Sequence, residues 1–128
     1  MTGQHRKGSG RAEHRTFALL YAAALASVQQ ARDTPMLRLE NCLNAIVDSA
    51  FSLEGYLNHV GPELFSFWPS LERIGPRQKL DVVLSHLRLK ADFGVRPFQS
   101  VGLAFDARDL AAHARTEVIE FEHRLRRD

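Results

Sequence analysis

The stretch PMLRLENCLNAIVDSAFSLEGYLNHVGP, residues 35–62, decides the fold of this 128-residue chain. Its apolar residues recur in alternating steps of four and three, which keeps them on one face of an α-helix. They are Leu39, Leu43, Ile46, Ala50, Leu53, Leu57 and Val60. We expect a helix over roughly 35–60, with Thr34 as its N-cap and Gly61-Pro62 as its stop signal. Cys42 lies inside this helix, where it is expected to be a small buried apolar residue.

Further helices are predicted on both sides of this stretch, and no segment has the period-two alternation of a strand. Leu and Ala number 32 together, against 15 for Val, Ile and Thr, and straight-chain and small residues favour helix. One helix is expected over roughly 13–32, another from Pro76 onward, and another from Pro97 to about Ala114. The first presents one face made of Phe17, Tyr21, Ala24, Val28 and Ala31. A short fifth helix or docked tail is expected over Val118, Phe121 and Leu125.

Two segments join or precede these helices. Residues 63–75 hold Phe65, Phe67 and the only tryptophan, Trp68, and we expect this connector to cover one end of the helices. An exposed platform for stacking bases is the alternative. Residues 1–12 are Gly-rich and basic, and are predicted to be a flexible tail preceding a single domain over 13–128. The fold prediction is therefore an all-α antiparallel up-down bundle of four to five helices.

Charge and cysteine content narrow the functional classes. The formal net charge is +2, but residues 17–114 carry nine basic and ten acidic groups, so the basic excess belongs to the N-terminal tail. No basic stripe for nucleic acid and no membrane-spanning run is evident. FALLYAAALA, residues 17–26, resembles a signal-peptide core, but its long polar leader and continuing helical pattern argue against export. A single cysteine favours a reducing, cytoplasmic location.

One residue of the last long helix breaks its apolar pattern. The stripe Phe98, Val101, Phe105 continues in steps of three and four onto Arg108, so a guanidinium falls where a core residue is expected. Such a group has to be paired, to extend its charged end to solvent, or to line a cleft. Asp109 and His113 are four residues apart, within side-chain reach on a helix.

The segment RDLAAH, residues 108–113, resembles the R-x4–6-H signature of the HEPN superfamily of helical-bundle domains. SAFSLEGYLNHV, residues 49–60, also resembles helices of uncharacterised bacterial HEPN-like proteins. The resemblance covers roughly residues 36–115. It implies a homodimeric, metal-independent endoribonuclease of a toxin or defence system, with a neutralising protein partner and no cofactor.

In that reading His113 acts as general base or acid, Arg108 holds the scissile phosphate, and Asp109 orients one of them. Asp109 departs from the more common Asn and adds a negative charge beside an anion site.

A structural interpretation of the same residues stands beside this one. Glu54 and Asn58 flank the stripe of the 35–60 helix and are natural partners for Arg108, while His113 interacts with its own helix dipole. The chain would then be a non-catalytic helical protein that binds a protein partner or a nucleotide, or one with a purely structural role. No metal-binding pattern of His and Cys, no P-loop and no hydrolase motif occurs in the sequence.

Overall fold

The computed structural model of the chain describes residues 10–114. Its α-helices are α1 (Thr16–Asp33), α2 (Arg38–Leu64), α3 (Pro76–His86) and α4 (Phe98–Ala112). Within this range the chain contains no strand, so the all-α prediction is confirmed. The predicted tail up to residue 9 and the predicted fifth helix lie outside the described residues. None of the helices in residues 10–114 has both the length and the hydropathy of a membrane span.

Helices α1 and α2 form a hairpin in which small residues bring the two backbones close together. Ala24 and Ala31 of α1 are buried against α2. Gly55 of α2 faces Phe17, whose Cβ lies 3.2 Å from the position that a Cβ on Gly55 would occupy. Ser52 Oγ donates a 2.8 Å hydrogen bond to the carbonyl oxygen of Phe17. Close packing of α1 therefore depends on alanine, glycine and serine more than on large apolar side chains.

Both ends of α2 differ from the sequence prediction. The Thr34 side chain makes no capping hydrogen bond, and residues 35–37 first form a 3₁₀ turn, so that α2 begins only at Arg38. At the other end, α2 passes through Pro62 and continues to Leu64. Proline removes only the hydrogen bond to the carbonyl of Asn58, which lies at the surface where water can replace it.

Gly61 has a packing role in place of the predicted C-cap role. A Cβ at this position would lie 2.1 Å from Cε2 of Trp68. The indole ring therefore lies directly against the α2 backbone, and only glycine leaves room for it. Trp68 is 1% exposed, so the prediction that the connector covers the core is confirmed and a base-stacking role for Trp68 is wrong.

The core lies where α3, α4 and the connector pack on the C-terminal half of α2. It is formed by Ala50, Leu57, Trp68, Leu80, Val83 and Phe105. A second link joins α3 to α4, because Arg77 Nη2 donates both to the Gly102 carbonyl at 3.0 Å and to Asp106 Oδ1 at 2.8 Å. The arrangement agrees with an up-down bundle built around α2.

The N-terminal half of the α2 stripe stays uncovered. Leu39 is 80% exposed, and Leu43 and Ile46 are also exposed. The cause is length: α3 has 11 residues and α4 has 15, against 27 in α2, so they cover only part of it. Cys42 is exposed for the same reason, and the prediction of a buried cysteine is wrong. Tyr21 and Val28 of the expected α1 face are exposed as well.

Candidate functional site

Arg108 is held on the inner face of α4 and points toward α2. It follows Val101 and Phe105 on one side of the helix, and Phe105 is fully buried in the core. The Arg108 side chain is 23% exposed, so the guanidinium lies at the edge of the core. Its carbon ζ lies 5.3 Å from the centre of the Phe51 ring of α2, within the range of a cation–π contact.

Glu54 of α2 is the centre of the charged cluster. Arg108 Nη2 donates a 2.9 Å hydrogen bond to Glu54 Oε2. The other carboxylate oxygen, Oε1, lies 3.4 Å from Nζ of Lys79 on α3. The side chains of Glu54 and Lys79 are 18% and 3% exposed. One carboxylate thus joins three helices, and the pairing of Arg108 with Glu54 that the sequence suggested is present.

Lys79 is the member of this cluster that sequence reasoning missed. It is four residues before Val83 and therefore shares a face with a core residue of α3. A lysine at such a position has to be paired when it is buried, because an isolated ammonium group in a core is costly. The same spacing argument that singled out Arg108 was therefore available for Lys79.

Asp109 completes the environment of the Arg108 guanidinium. Arg108 Nη1 donates a 2.6 Å hydrogen bond to Asp109 Oδ1. This hydrogen bond raises the pKa of Arg108, partial burial lowers it, and the Glu54 charge raises it again. Each terminal nitrogen of the guanidinium thus already donates to a carboxylate of the same chain. The third nitrogen, Nε, is buried and has no hydrogen-bond partner.

The expected contact between Asp109 and His113 is not formed within the described residues. Helix α4 ends at Ala112, and His113 is its C-cap with φ −119° and ψ 33°. The His113 side chain makes no hydrogen bond to Asp109, whose carboxylate accepts from Arg108 instead. His113 is exposed, and its backbone N–H donates to the Asp109 carbonyl at 3.0 Å.

Asn58, the other predicted neighbour of Arg108, takes no part in the cluster. It is exposed and makes none of the side-chain hydrogen bonds found in residues 10–114. The structure therefore brings together Arg108, Asp109 and Glu54 of the predicted residues, and does not add Asn58 or the His113 side chain to them.

The cluster is electrically balanced. Arg108 and Lys79 supply two positive charges, and Glu54 and Asp109 supply two negative charges. Phosphate binding needs a cation with donors free to face the ligand, and here the charge is already compensated inside the protein. Within residues 10–114, no three His, Cys, Asp or Glu side chains lie close enough together to hold a metal ion.

A second feature lies on the α1–α2 hairpin, away from the charged cluster. Two open depressions follow the seam between the two helices, with volumes of about 490 and 440 Å³. We call them together the hairpin groove. Val28, Ala31, Arg32, Arg38, Cys42, Ala45 and Ile46 line the first, and Phe17, Ala18, Tyr21, Ser49, Ser52, Leu53 and Tyr56 line the second. The groove is mostly apolar, and its charged groups, Arg32 and Arg38, stand at one end.

No protein-family model matches the chain, and no curated protein or solved structure is significantly similar to it.

Proposed function

We propose that this protein is a non-catalytic helical protein that acts by binding another protein chain. The observation that carries the proposal is the engagement of Arg108 by Glu54 and Asp109 of its own chain. In this role the charged cluster fixes α3 and α4 onto α2. The hairpin groove then supplies the contact surface, since apolar surface of this extent on a folded chain is typical of interaction sites.

Arg108 can hold a phosphate only at the expense of its present contacts. Nη2 already donates to Glu54 and Nη1 to Asp109, so a phosphate would have to share each nitrogen with a carboxylate or displace that carboxylate. Displacing Glu54 breaks a largely buried ion pair, which costs about 3 kcal/mol, whereas Asp109 is 54% exposed and its displacement costs at most about 1 kcal/mol. The Asp109 carboxylate would also repel an incoming phosphate.

The HEPN-like endoribonuclease, with Arg108, Asp109 and His113 as its catalytic residues, stays a prediction from the resemblance alone. Its RNA substrate, its neutralising partner and the cytoplasmic location stay predictions with it. In that alternative a second copy of α4 supplies the other half of the site, and RNA binding displaces the Arg108 contacts described above.

Ribonuclease activity in EDTA separates the two functions. Structured and single-stranded RNA would be incubated with the wild-type chain and with His113→Ala. His113 is an exposed helix-end residue, so this variant keeps the fold, which circular dichroism would verify. We expect equal, background-level cleavage from both proteins. Cleavage by the wild type that falls roughly 100-fold in His113→Ala would overturn the proposal and establish the ribonuclease, since general acid–base groups contribute about that much.

A further inference from the structure

We propose that the hairpin groove binds the same groove of a second copy of this chain, giving a symmetric dimer with a four-helix core. This inference rests on the proposed function, because it names the partner that the groove takes. It places the contact on α1 and α2, and not on α4 where the ribonuclease prediction requires the two copies to meet.

The two depressions belong to one continuous surface. On α2 the positions Cys42, Ile46, Ser49, Leu53 and Tyr56 follow steps of four and three, so they form one stripe. On α1 the positions Ala18, Tyr21, Leu25, Val28 and Arg32 follow steps of three and four. Each stripe runs for about 14 residues, or roughly 21 Å of helix. The two stripes lie beside each other along the seam, because each depression is lined by residues of both α1 and α2.

The apolar side chains along this surface are exposed to an unusual degree. Tyr21, Leu25, Val28, Ile46 and Tyr56 follow the two stripes, and Leu39 and Leu43 adjoin Cys42 and Ile46 on α2; all seven are between 38% and 80% exposed. Their exposed area is roughly 700 Å², while a typical stable interface buries about 800 Å² on each partner. A contact across this surface alone therefore has the size that a stable dimer needs.

The geometry also explains why a second hairpin suits the groove. A hairpin of two amphipathic helices that is apolar on one side buries that side completely when a second hairpin packs against it by two-fold symmetry. The middle of the groove carries no charge, and Arg38 at its end is tied to the chain by a 3.1 Å hydrogen bond from Nε to the Ala31 carbonyl. An apolar centre with charges at the rim is the usual composition of such an interface.

The chain's own C-terminal segment fits the groove less well. Eight of the fourteen residues in 115–128 are charged, four of each sign. Of the remaining residues only Val118, Ile119, Phe121 and Leu125 are large and apolar, so the segment offers less apolar surface than a second copy of the groove does. A second copy brings an apolar surface of equal size and shape.

Sedimentation of the full chain and of three variants tests the proposal. The wild type is expected to have twice the 14.5 kDa chain mass at micromolar concentration. Leu25→Glu and Ile46→Glu each place two carboxylates in the symmetric interface, so the dissociation constant of the dimer should rise roughly 100-fold or more. Leu19→Glu is the matched control, because Leu19 is exposed on α1 about 120° away from Leu25. It should leave the dimer intact.

Alkylation of Cys42, the only cysteine, provides a second readout within the groove. In the wild type its rate should fall as protein concentration rises, and in Ile46→Glu it should stay fast at every concentration. A wild-type monomer with reactive Cys42 overturns the proposal. A wild-type monomer with protected Cys42 also overturns the proposal, because the groove is then covered by another part of the same chain. A dimer that is weakened by neither Leu25→Glu nor Ile46→Glu overturns it as well. These outcomes do not depend on RNA cleavage, so each proposal can fail alone.

Discussion

Replacing Glu54 by glutamine removes the charge that holds the cluster together while keeping the shape of the side chain. In the native chain Glu54 receives Arg108 at 2.9 Å and lies 3.4 Å from Lys79 Nζ. After Glu54→Gln, Arg108 retains Asp109, but no other carboxylate is found next to Lys79 among the described residues. The Lys79 side chain is 3% exposed, so water offers it little compensation.

The size of the effect follows from burial. Leaving one partner of a buried ion pair alone costs about 3–5 kcal/mol. Glu54 is 18% exposed and Arg108 is 23% exposed, so partial solvation places the loss near 3 kcal/mol. For a domain of this size, that loss lowers the melting temperature by roughly 10–15 °C.

Urea unfolding followed by circular dichroism, at one fixed protein concentration, measures this loss. Asp106→Asn is the control, because its ion pair with Arg77 spans 2.8 Å but the two side chains are 40% and 66% exposed. An exposed pair of this kind contributes at most about 1 kcal/mol. If Glu54→Gln destabilises the chain no more than Asp106→Asn does, the structural role assigned to the cluster is refuted.

Two further substitutions test the packing and the charge balance. Lys79→Met removes the buried cation but leaves Glu54 with Arg108, so the free energy of unfolding should change by less than about 1.5 kcal/mol. A loss of stability as large as that of Glu54→Gln would contradict the role of Glu54 as the centre of the cluster. Gly61→Ala forces the Trp68 ring away from a Cβ at 2.1 Å, so overpacking should outweigh the gain in helix propensity and destabilise the chain by about 1–3 kcal/mol in a thermal melt. Gly55→Ala meets its nearest neighbour at 3.2 Å and should be close to neutral, and equal losses from the two alanine variants would show that Trp68 does not require Gly61.

Much of the fold could be predicted from the sequence because the helix signals are local. Apolar spacing and the prolines at 76 and 97 placed α3 and α4 close to their observed starts. The helix end predicted at Gly61-Pro62 was wrong. Gly61 lies inside α2, where the absence of a side chain leaves room for the Trp68 ring. The role of that glycine depends on a ring seven residues away, which spacing along one helix does not reveal.

The candidate site was only partly predictable, for a related reason. Arg108 breaks the apolar pattern of its helix and Glu54 flanks the apolar stripe of α2, and these two positions pointed to their pairing. The exposure of Leu39, Leu43 and Cys42 was not predictable from the α2 stripe, since it depends on how far α3 and α4 extend along α2. Likewise, the spacing of four between Asp109 and His113 did not reveal that the Asp109 carboxylate pairs with Arg108, its neighbour in the chain.

A double-mutant cycle between Glu54 and Arg108 measures whether Arg108 stabilises the fold by pairing with Glu54. The free energy of unfolding would be measured for the wild type, Glu54→Gln, Arg108→Met and the double variant. Arg108→Met keeps the aliphatic part of the side chain and removes its charge. We expect Arg108→Met to be destabilising. We also expect the interaction free energy between Glu54 and Arg108 to be about 2 kcal/mol. If Arg108→Met is as stable as the wild type or more stable, and the two substitutions have additive effects on the free energy of unfolding, Arg108 does not stabilise the fold through Glu54.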